Sequence, residues 1–429
     1  MLAGRLGRFA APVSTVNKHY RRLVTTVPQV SSEGVHIKWD DDGERTTHYH
    51  NVWLRHNCHC PHCLADYNNQ KTIQPAQLVN TRVTKATIEG DVVKLTWQQQ
   101  GCDDGVHEGC IPLQWLKHHD YSDHQLNKKM KQAQPTPAPM GHLPEVDYDK
   151  VMDYDKVLWR WLWNLNEYGV CLVNNVPTVP GSIVKVTERI AHIQETIYGR
   201  TFQVVVQDKP INIAYTGEAL SLHMDLIYYE SPPGLQLLHC LRMTALVLVT
   251  RNDNSIIGGE SLLLDTYPVL EELRNNYPEQ FHILTRVPAT FQKIHYKRES
   301  PVHIVSQVPH IVLGEHEEIV AVNWSPAFEG TLQVSPVDVE PYYQAYLLLA
   351  KLFSTSERLF QFRLLPGQLI SFNNRRILHG RNSFYSEGEG VRHLEGAYVN
   401  IDEFNSRFHV LNRKFGSQPP KRVFNHSIL

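Results

Sequence analysis

Leu220-Ser221-Leu222-His223-Met224-Asp225 sets His223 and Asp225 two residues apart. On a strand, residues at that spacing point the same way, so one segment offers an imidazole and a carboxylate to a common point. A non-haem Fe(II) oxygenase needs two imidazoles and one carboxylate on one face of the metal, with the opposite face open for a co-substrate and O2. The third ligand must come from another strand, and His379 is the candidate. The pattern is weak alone: among 24 histidines, a His-x-Asp followed by a distant His arises readily by chance.

A second constellation adds weight. Thirteen residues after His379 stands Arg392, in Val391-Arg392-His393-Leu394-Glu395-Gly396-Ala397-Tyr398. A planar guanidinium holds the distal carboxylate of 2-oxoglutarate bidentately. A strand, a turn and a return strand would bring His379 and Arg392 to one cavity. By itself Arg392 reads as a surface ion-pair residue.

Around these residues the chain reads as mainly strands, at 235–241, 319–324 and 364–372 around the Pro366-Gly367 turn. One strong helix interrupts them, at about 341–353, with Pro341 in its first turn. Two more helices are predicted at 148–168 and at 182–197, the latter with Ser182 as N-cap. Many short strands with few helices suggest a closed or double-sheet β architecture. Residues 33–117 alternate over short segments and read as a small β domain. Residues 118–146, with Pro135-Thr136-Pro137-Ala138-Pro139, read as a linker, and 147–429 as the second domain.

Residues 1–32 carry Arg5, Arg8, Lys18, Arg21 and Arg22 and no acid before Glu33. That is the composition of a mitochondrial transit segment, which predicts the matrix, with the cytoplasm as the alternative. A formal net charge of −2 gives no global basic footprint for nucleic acid. The longest strongly apolar stretch, 245–249, is far too short to span a bilayer. Seven cysteines, an odd number in a long chain, argue against a disulfide scaffold. Three of them crowd into Cys58-His59-Cys60-Pro61-His62-Cys63, a spacing suited to tetrahedral zinc with one ligand from elsewhere. His59, His62, Cys102 and Cys110 compete for that place.

The chain resembles the carnitine-biosynthesis dioxygenases, the γ-butyrobetaine hydroxylase/trimethyllysine dioxygenase family. The resemblance is carried by Val52-Trp53-Leu54-Arg55, Ala214-Tyr215-Thr216, the 220–225 stretch, Pro232-Pro233-Gly234-Leu235-Gln236-Leu237-Leu238-His239-Cys240, Leu378-His379-Gly380-Arg381 and 392–398. It implies a double-stranded β-helix (jelly-roll) catalytic domain, mainly β with α, preceded by a small zinc-binding β domain. It implies Fe(II) on His223, Asp225 and His379, 2-oxoglutarate on Arg392 with help from Ser261, ascorbate as reductant, and a homodimer. His107 matches the fourth zinc ligand beside Cys58, Cys60 and Cys63.

The resemblance also implies a small quaternary-ammonium substrate. A trimethylammonium group has no N–H and is recognised by aromatic faces. Tyr198, Phe202, Tyr215 and Tyr398 would form that cage, and Asn212 would bind the substrate carboxylate. The implied activity is hydroxylation of γ-butyrobetaine to L-carnitine. Two departures bear on substrate: Phe202 stands where the γ-butyrobetaine enzymes carry Trp, and Ser325 where they carry a carboxylate-binding Asn. The stretch Glu195-Thr196-Ile197-Tyr198-Gly199-Arg200 and the transit-like start resemble the trimethyllysine enzymes, whereas the Cys-rich motif and 392–398 resemble the γ-butyrobetaine enzymes; trimethyllysine or another betaine is the alternative substrate. A zinc-stabilised binding module without catalysis is the non-enzymatic alternative. The segment 245–257 is longer than its counterpart in the family.

Overall fold

The structure, a computed structural model, describes residues 27–40, 45–98, 105–132, 134–139, 141–205, 216–244, 257–385 and 391–417. Residues 1–26 of the transit-like segment, Asn212, Tyr215, Cys102 and most of 245–257 lie outside them, whereas residues 27–32, read as the end of that segment, are described and include a strand, Gln29–Val30. The chain divides into two compact units, Met1–Met130 and Lys131–Leu429.

The first unit is β-rich. Strands Gln29–Val30, Gly34–Lys38 and Thr46–His50 form one antiparallel sheet, and Arg82–Glu89, Val92–Gln98 and Val106–Pro112 form another. Alternation places Val93, Leu95 and Trp97 inward, where they pack with Trp39, Tyr49 and Leu54. Polar groups in this core pair with one another: Trp39 Nε1 donates to Thr47, and Thr47 and Arg45 both donate to the buried Asp120.

In the second unit two sheets enclose a cavity. The larger runs in the order Glu145–Asp147, Val170–Asn174, Leu369–Asn373, Leu235–Thr244, Val391–Val399, Phe202–Val204. The smaller runs Leu220–His223, Ile377–Arg381, Ser261–Asp265, Phe360–Phe362. The strand Leu235–Thr244 shows how the layers arise. Leu235 and Leu237 face a helical layer built on Asp155–Tyr168 and Ile401–Phe415, while Gln236 and Leu238 face the cavity. Trp161 anchors that layer, with its Nε1 donating to Ser371 at 2.8 Å. Each fully buried Leu or Phe contributes roughly 1.5–3 kcal/mol, so this layer is a rigid back wall for the site. The double-sheet β architecture expected from the sequence is present.

Several elements differ from expectation. The helix read at 182–197 ends at Thr187. Beyond it the chain is drawn to the sheet: Ile193 bridges Val399, and Gln194 N donates to Tyr398 O at 2.9 Å. The helix read at 148–168 is broken at Tyr154. The helix with Pro341 inside it starts earlier, with Pro336 in its first turn, and runs to Thr355. Helices Thr266–Asn276, Pro278–Arg286 and Ile401–Phe415 were not read from the sequence. Residues 118–146, read as a linker, hold a helix, Asp123–Gln132, and a strand, Glu145–Asp147. The Pro-rich run within them is strapped down: Arg376 donates to Thr136 O, and Ala138 N donates to Asp265. Arg376 and Asp265 themselves form a buried ion pair at 2.8 Å.

Candidate functional site

His223 and His379 are direct partners in the antiparallel pairing of Leu220–His223 with Ile377–Arg381. Their ring centroids are 4.1 Å apart. Asp225 follows on the turn beyond the strand, with Oδ1 3.5 Å from His223 Nε2 and Oδ2 3.9 Å from His379 Nε2. Their ligand atoms all fall within 4.8 Å of one another. That turn is held rather than floppy. Leu226 sits at φ 57°, a conformation a branched side chain seldom adopts. Asn374 clamps Asp225 reciprocally, accepting from its N–H at 2.9 Å and donating to its carbonyl at 2.9 Å.

Protonation states suit metal ligation. His223 Nδ1 lies 2.8 Å from Ser221 O, so Nδ1–H donates there and the Nε2 lone pair faces the cluster. Burial, then the neighbouring His223, holds the His379 imidazole down at about 3, so it is neutral. Burial alone would raise the Asp225 carboxyl. The contact with His223 and the Tyr398 hydroxyl act against it, and Asp225 is held well below the usual carboxylate range. Two imidazoles and one carboxylate, gathered at one point, form the donor set of a non-haem iron site with open positions.

These ligands open into a cavity between the sheets. Arg392 and Ser261 line it, as do Leu238, Leu263, Ile370, Phe372 and Leu394. Burial, then the nearby Arg381, pushes the Arg392 guanidinium down to about 10, so it remains charged at neutral pH. Its Nε is buried without a hydrogen-bond partner, and among the described residues no carboxylate lies within ion-pair distance of it. A buried, unpaired cation is costly, and a dicarboxylate reaching from the metal would satisfy it. Arg381 shares the cavity, packs 4.8 Å over Phe384, and donates to the carbonyls of Thr216 and Glu218.

Three cage candidates meet beside the triad. Tyr198, Phe202 and Tyr398 all line the cavity. Phe202 stacks on Tyr398 at 4.9 Å and 21°, and lies 6.4 Å from Tyr198. Ser325 is fully buried, outside the cavity lining, and its hydroxyl has no partner among the described residues.

The second cluster lies in the first unit. Cys58, Cys60 and Cys63 place their sulfurs 3.5, 3.7 and 3.5 Å from His107 Nε2. Tetrahedral zinc, with bonds of about 2.3 Å to sulfur and roughly 2.0–2.1 Å to nitrogen, separates S and N by about 3.6 Å. The residues present therefore fit the ion. The competing ligands His59, His62 and Cys110 are not in the cluster. The Cys58 thiol, then His107 and Arg55, lower the Cys63 thiol against burial, while contact with Cys63 and burial raise Cys58, and burial raises Cys60. Gly109 makes room: a Cβ there would lie 2.2 Å from Cys58 Sγ.

Sequence reasoning missed Gln236, Asn374 and Tyr228 at the iron site. Gln236 donates to Asp225 at 2.7 Å, and the Tyr228 hydroxyl lies 3.3 Å from that of Tyr198. The available signal was a single amide in the apolar run 235–238.

A two-sheet β fold that turns two imidazoles, a carboxylate and a buried arginine into one cavity defines the non-haem iron, 2-oxoglutarate-dependent oxygenases. Residues 131–398 match the family described as "Taurine catabolism dioxygenase TauD, TfdA family". Residues 26–117 match "Gamma-butyrobetaine hydroxylase-like, N-terminal". The human γ-butyrobetaine dioxygenase is 31% identical over 89% of this chain and 96% of its own. The same enzyme of Pseudomonas sp. (strain AK-1) is 31% identical over 92% and 99%. Trimethyllysine dioxygenase of Meyerozyma guilliermondii is 28% identical over 90% and 95%. The chain belongs to the TauD/TfdA dioxygenase family, and among its relatives are γ-butyrobetaine and trimethyllysine dioxygenases.

Proposed function

We propose that this chain hydroxylates γ-butyrobetaine to L-carnitine in the mitochondrial matrix, as a homodimer with ascorbate as reductant. The supporting observation is the convergence of His223, Asp225, His379, Arg392 and three aromatic rings on one cavity. His223, Asp225 and His379 hold Fe(II), and Arg392, assisted by Ser261, holds the distal carboxylate of 2-oxoglutarate. When bound, iron and 2-oxoglutarate supply the oxidising power: O2 is consumed, one oxygen atom enters the substrate C–H bond, and the other leaves in succinate, with CO2 released. The chain itself binds, orients and excludes water. Tyr198, Phe202, Tyr215 and Tyr398 surround the trimethylammonium group, and Asn212 takes the substrate carboxylate. Cys58, Cys60, Cys63 and His107 hold a structural zinc, since a closed four-ligand site leaves no position for chemistry.

A second reading, trimethyllysine as substrate, is favoured by Phe202 in place of Trp and by the trimethyllysine dioxygenase relatives. Both readings share one test of the chemistry. With Fe(II) and 2-oxoglutarate, the purified chain should form succinate, and Asp225→Ala should abolish this while its circular dichroism stays that of the parent. Retained turnover in Asp225→Ala would remove Asp225 from the metal site.

A further inference from the structure

Asp225 has one engaged oxygen and one that is left for a metal. Oδ2 accepts from the Gln236 amide at 2.7 Å and from the Tyr398 hydroxyl at 2.7 Å. Oδ1 is the oxygen near His223 Nε2, at 3.5 Å. Gln236 and Tyr398 are direct partners in the pairing of Leu235–Thr244 with Val391–Val399. One backbone register therefore aims both donors at the same atom. Tyr398 is also stacked on Phe202, so the ring that walls the aromatic side of the cavity carries the hydroxyl that holds the carboxylate.

We propose that Tyr398, together with Gln236, is a positioning residue that fixes which oxygen of Asp225 faces the metal, a role separate from that of its ring in the cage. The proposal rests on the reading of His223, Asp225 and His379 as an iron site. A buried carboxylate oxygen needs donors, and two short charge-assisted bonds supply them. With both in place, Asp225 cannot rotate Oδ2 toward His379 Nε2, 3.9 Å away, or offer both oxygens at once. Partners of this kind orient metal ligands, and their loss costs roughly 10–100-fold in metal affinity. Gln236 Oε1 is buried without a partner among the described residues, and Nε2 makes its shorter contact to Asp225, at 2.7 Å against 3.5 Å to His379 Nε2.

Anaerobic Fe(II) titration of the full chain, with its zinc left in place, tests this on wild type, Tyr398→Phe, Gln236→Leu and Asp225→Ala. Tyr398→Phe keeps the ring and its stack on Phe202 and deletes one hydroxyl. Its Kd for Fe(II) is expected to rise by about tenfold or more, and Gln236→Leu should move the same way. Binding of γ-butyrobetaine to saturated Tyr398→Phe is expected within about twofold of wild type, because the aromatic faces are unchanged. Wild-type Fe(II) affinity in Tyr398→Phe, alongside lost binding in Asp225→Ala, would overturn the positioning role and leave the iron site standing. Unchanged Fe(II) affinity in Asp225→Ala would remove the iron site itself, and the proposal with it. Unaltered metal binding in Gln236→Leu would remove Gln236 from the device.

Discussion

At Gly396 a missing side chain shapes the cage. Gly396 pairs with Phe202 across adjacent strands, and a Cβ there would lie 2.1 Å from Phe202 Cζ. Gly396→Ala should push the ring off Tyr398 and out of the cage. An exposed cation–π contact is worth about 0.5–1 kcal/mol, so KM for a trimethylammonium substrate should rise roughly two- to fivefold, with kcat moving less. Steady-state kinetics check this; an unchanged KM would show that Phe202 is no wall of the site. At this scale the sequence was most informative about residues defined by chemical type and spacing. His223, Asp225, His379 and Arg392 were found that way, and they meet in one cavity. Gln236 and Asn374 were not, because each acts on Asp225 through a strand register or a chain reversal that no local segment displays. Tyr398 was legible as a ring; its hydroxyl bond to Asp225 was not.

Among elements, the cysteine-bearing segment 58–63 owes its shape to the groups it gathers around one point. Backbone bonds from Cys63 N and Leu64 N to Cys60 O fold it tightly, and His59 N donates to Cys110 O on the neighbouring strand. Four converging donors with no ion would repel or stay protonated, so a zinc bound there would contribute directly to the stability of this unit. Cys58→Ser should lose about one zinc per chain and lower the melting temperature, measured by metal analysis and calorimetry. Zinc content and melting temperature equal to wild type would show that the cluster holds no zinc. The elements misread from sequence have physical reasons. Thr266–Asn276 is capped by Asp265, whose carboxylate accepts from Tyr267 N and also pairs with Arg376. Ile401–Phe415 is capped by Asn400 and ends in Arg413 and Lys414. Those cap signals were readable, but the surrounding strands outweighed them. The shortening of the helix at Ser182 was not readable, because the sheet that captures Ile193 and Gln194 is assembled from distant sequence.

Over the whole molecule, a β-rich unit with a four-ligand cluster and a two-sheet unit with an oxygenase cavity were both legible, because each carries its own dense motif. Substrate was less legible, since it depends on rings and amides drawn from many segments. The same pocket chemistry suits more than one trimethylammonium compound. Among the described residues no helix is long and apolar enough to cross a membrane. The most direct measurement is mass spectrometry of products from γ-butyrobetaine and trimethyllysine, offered side by side with Fe(II), 2-oxoglutarate, ascorbate and O2. Hydroxylated γ-butyrobetaine, formed in step with succinate and at the higher kcat/KM of the two, is the expected result. Hydroxylation of trimethyllysine alone, or of neither compound despite succinate release, would contradict the proposed function.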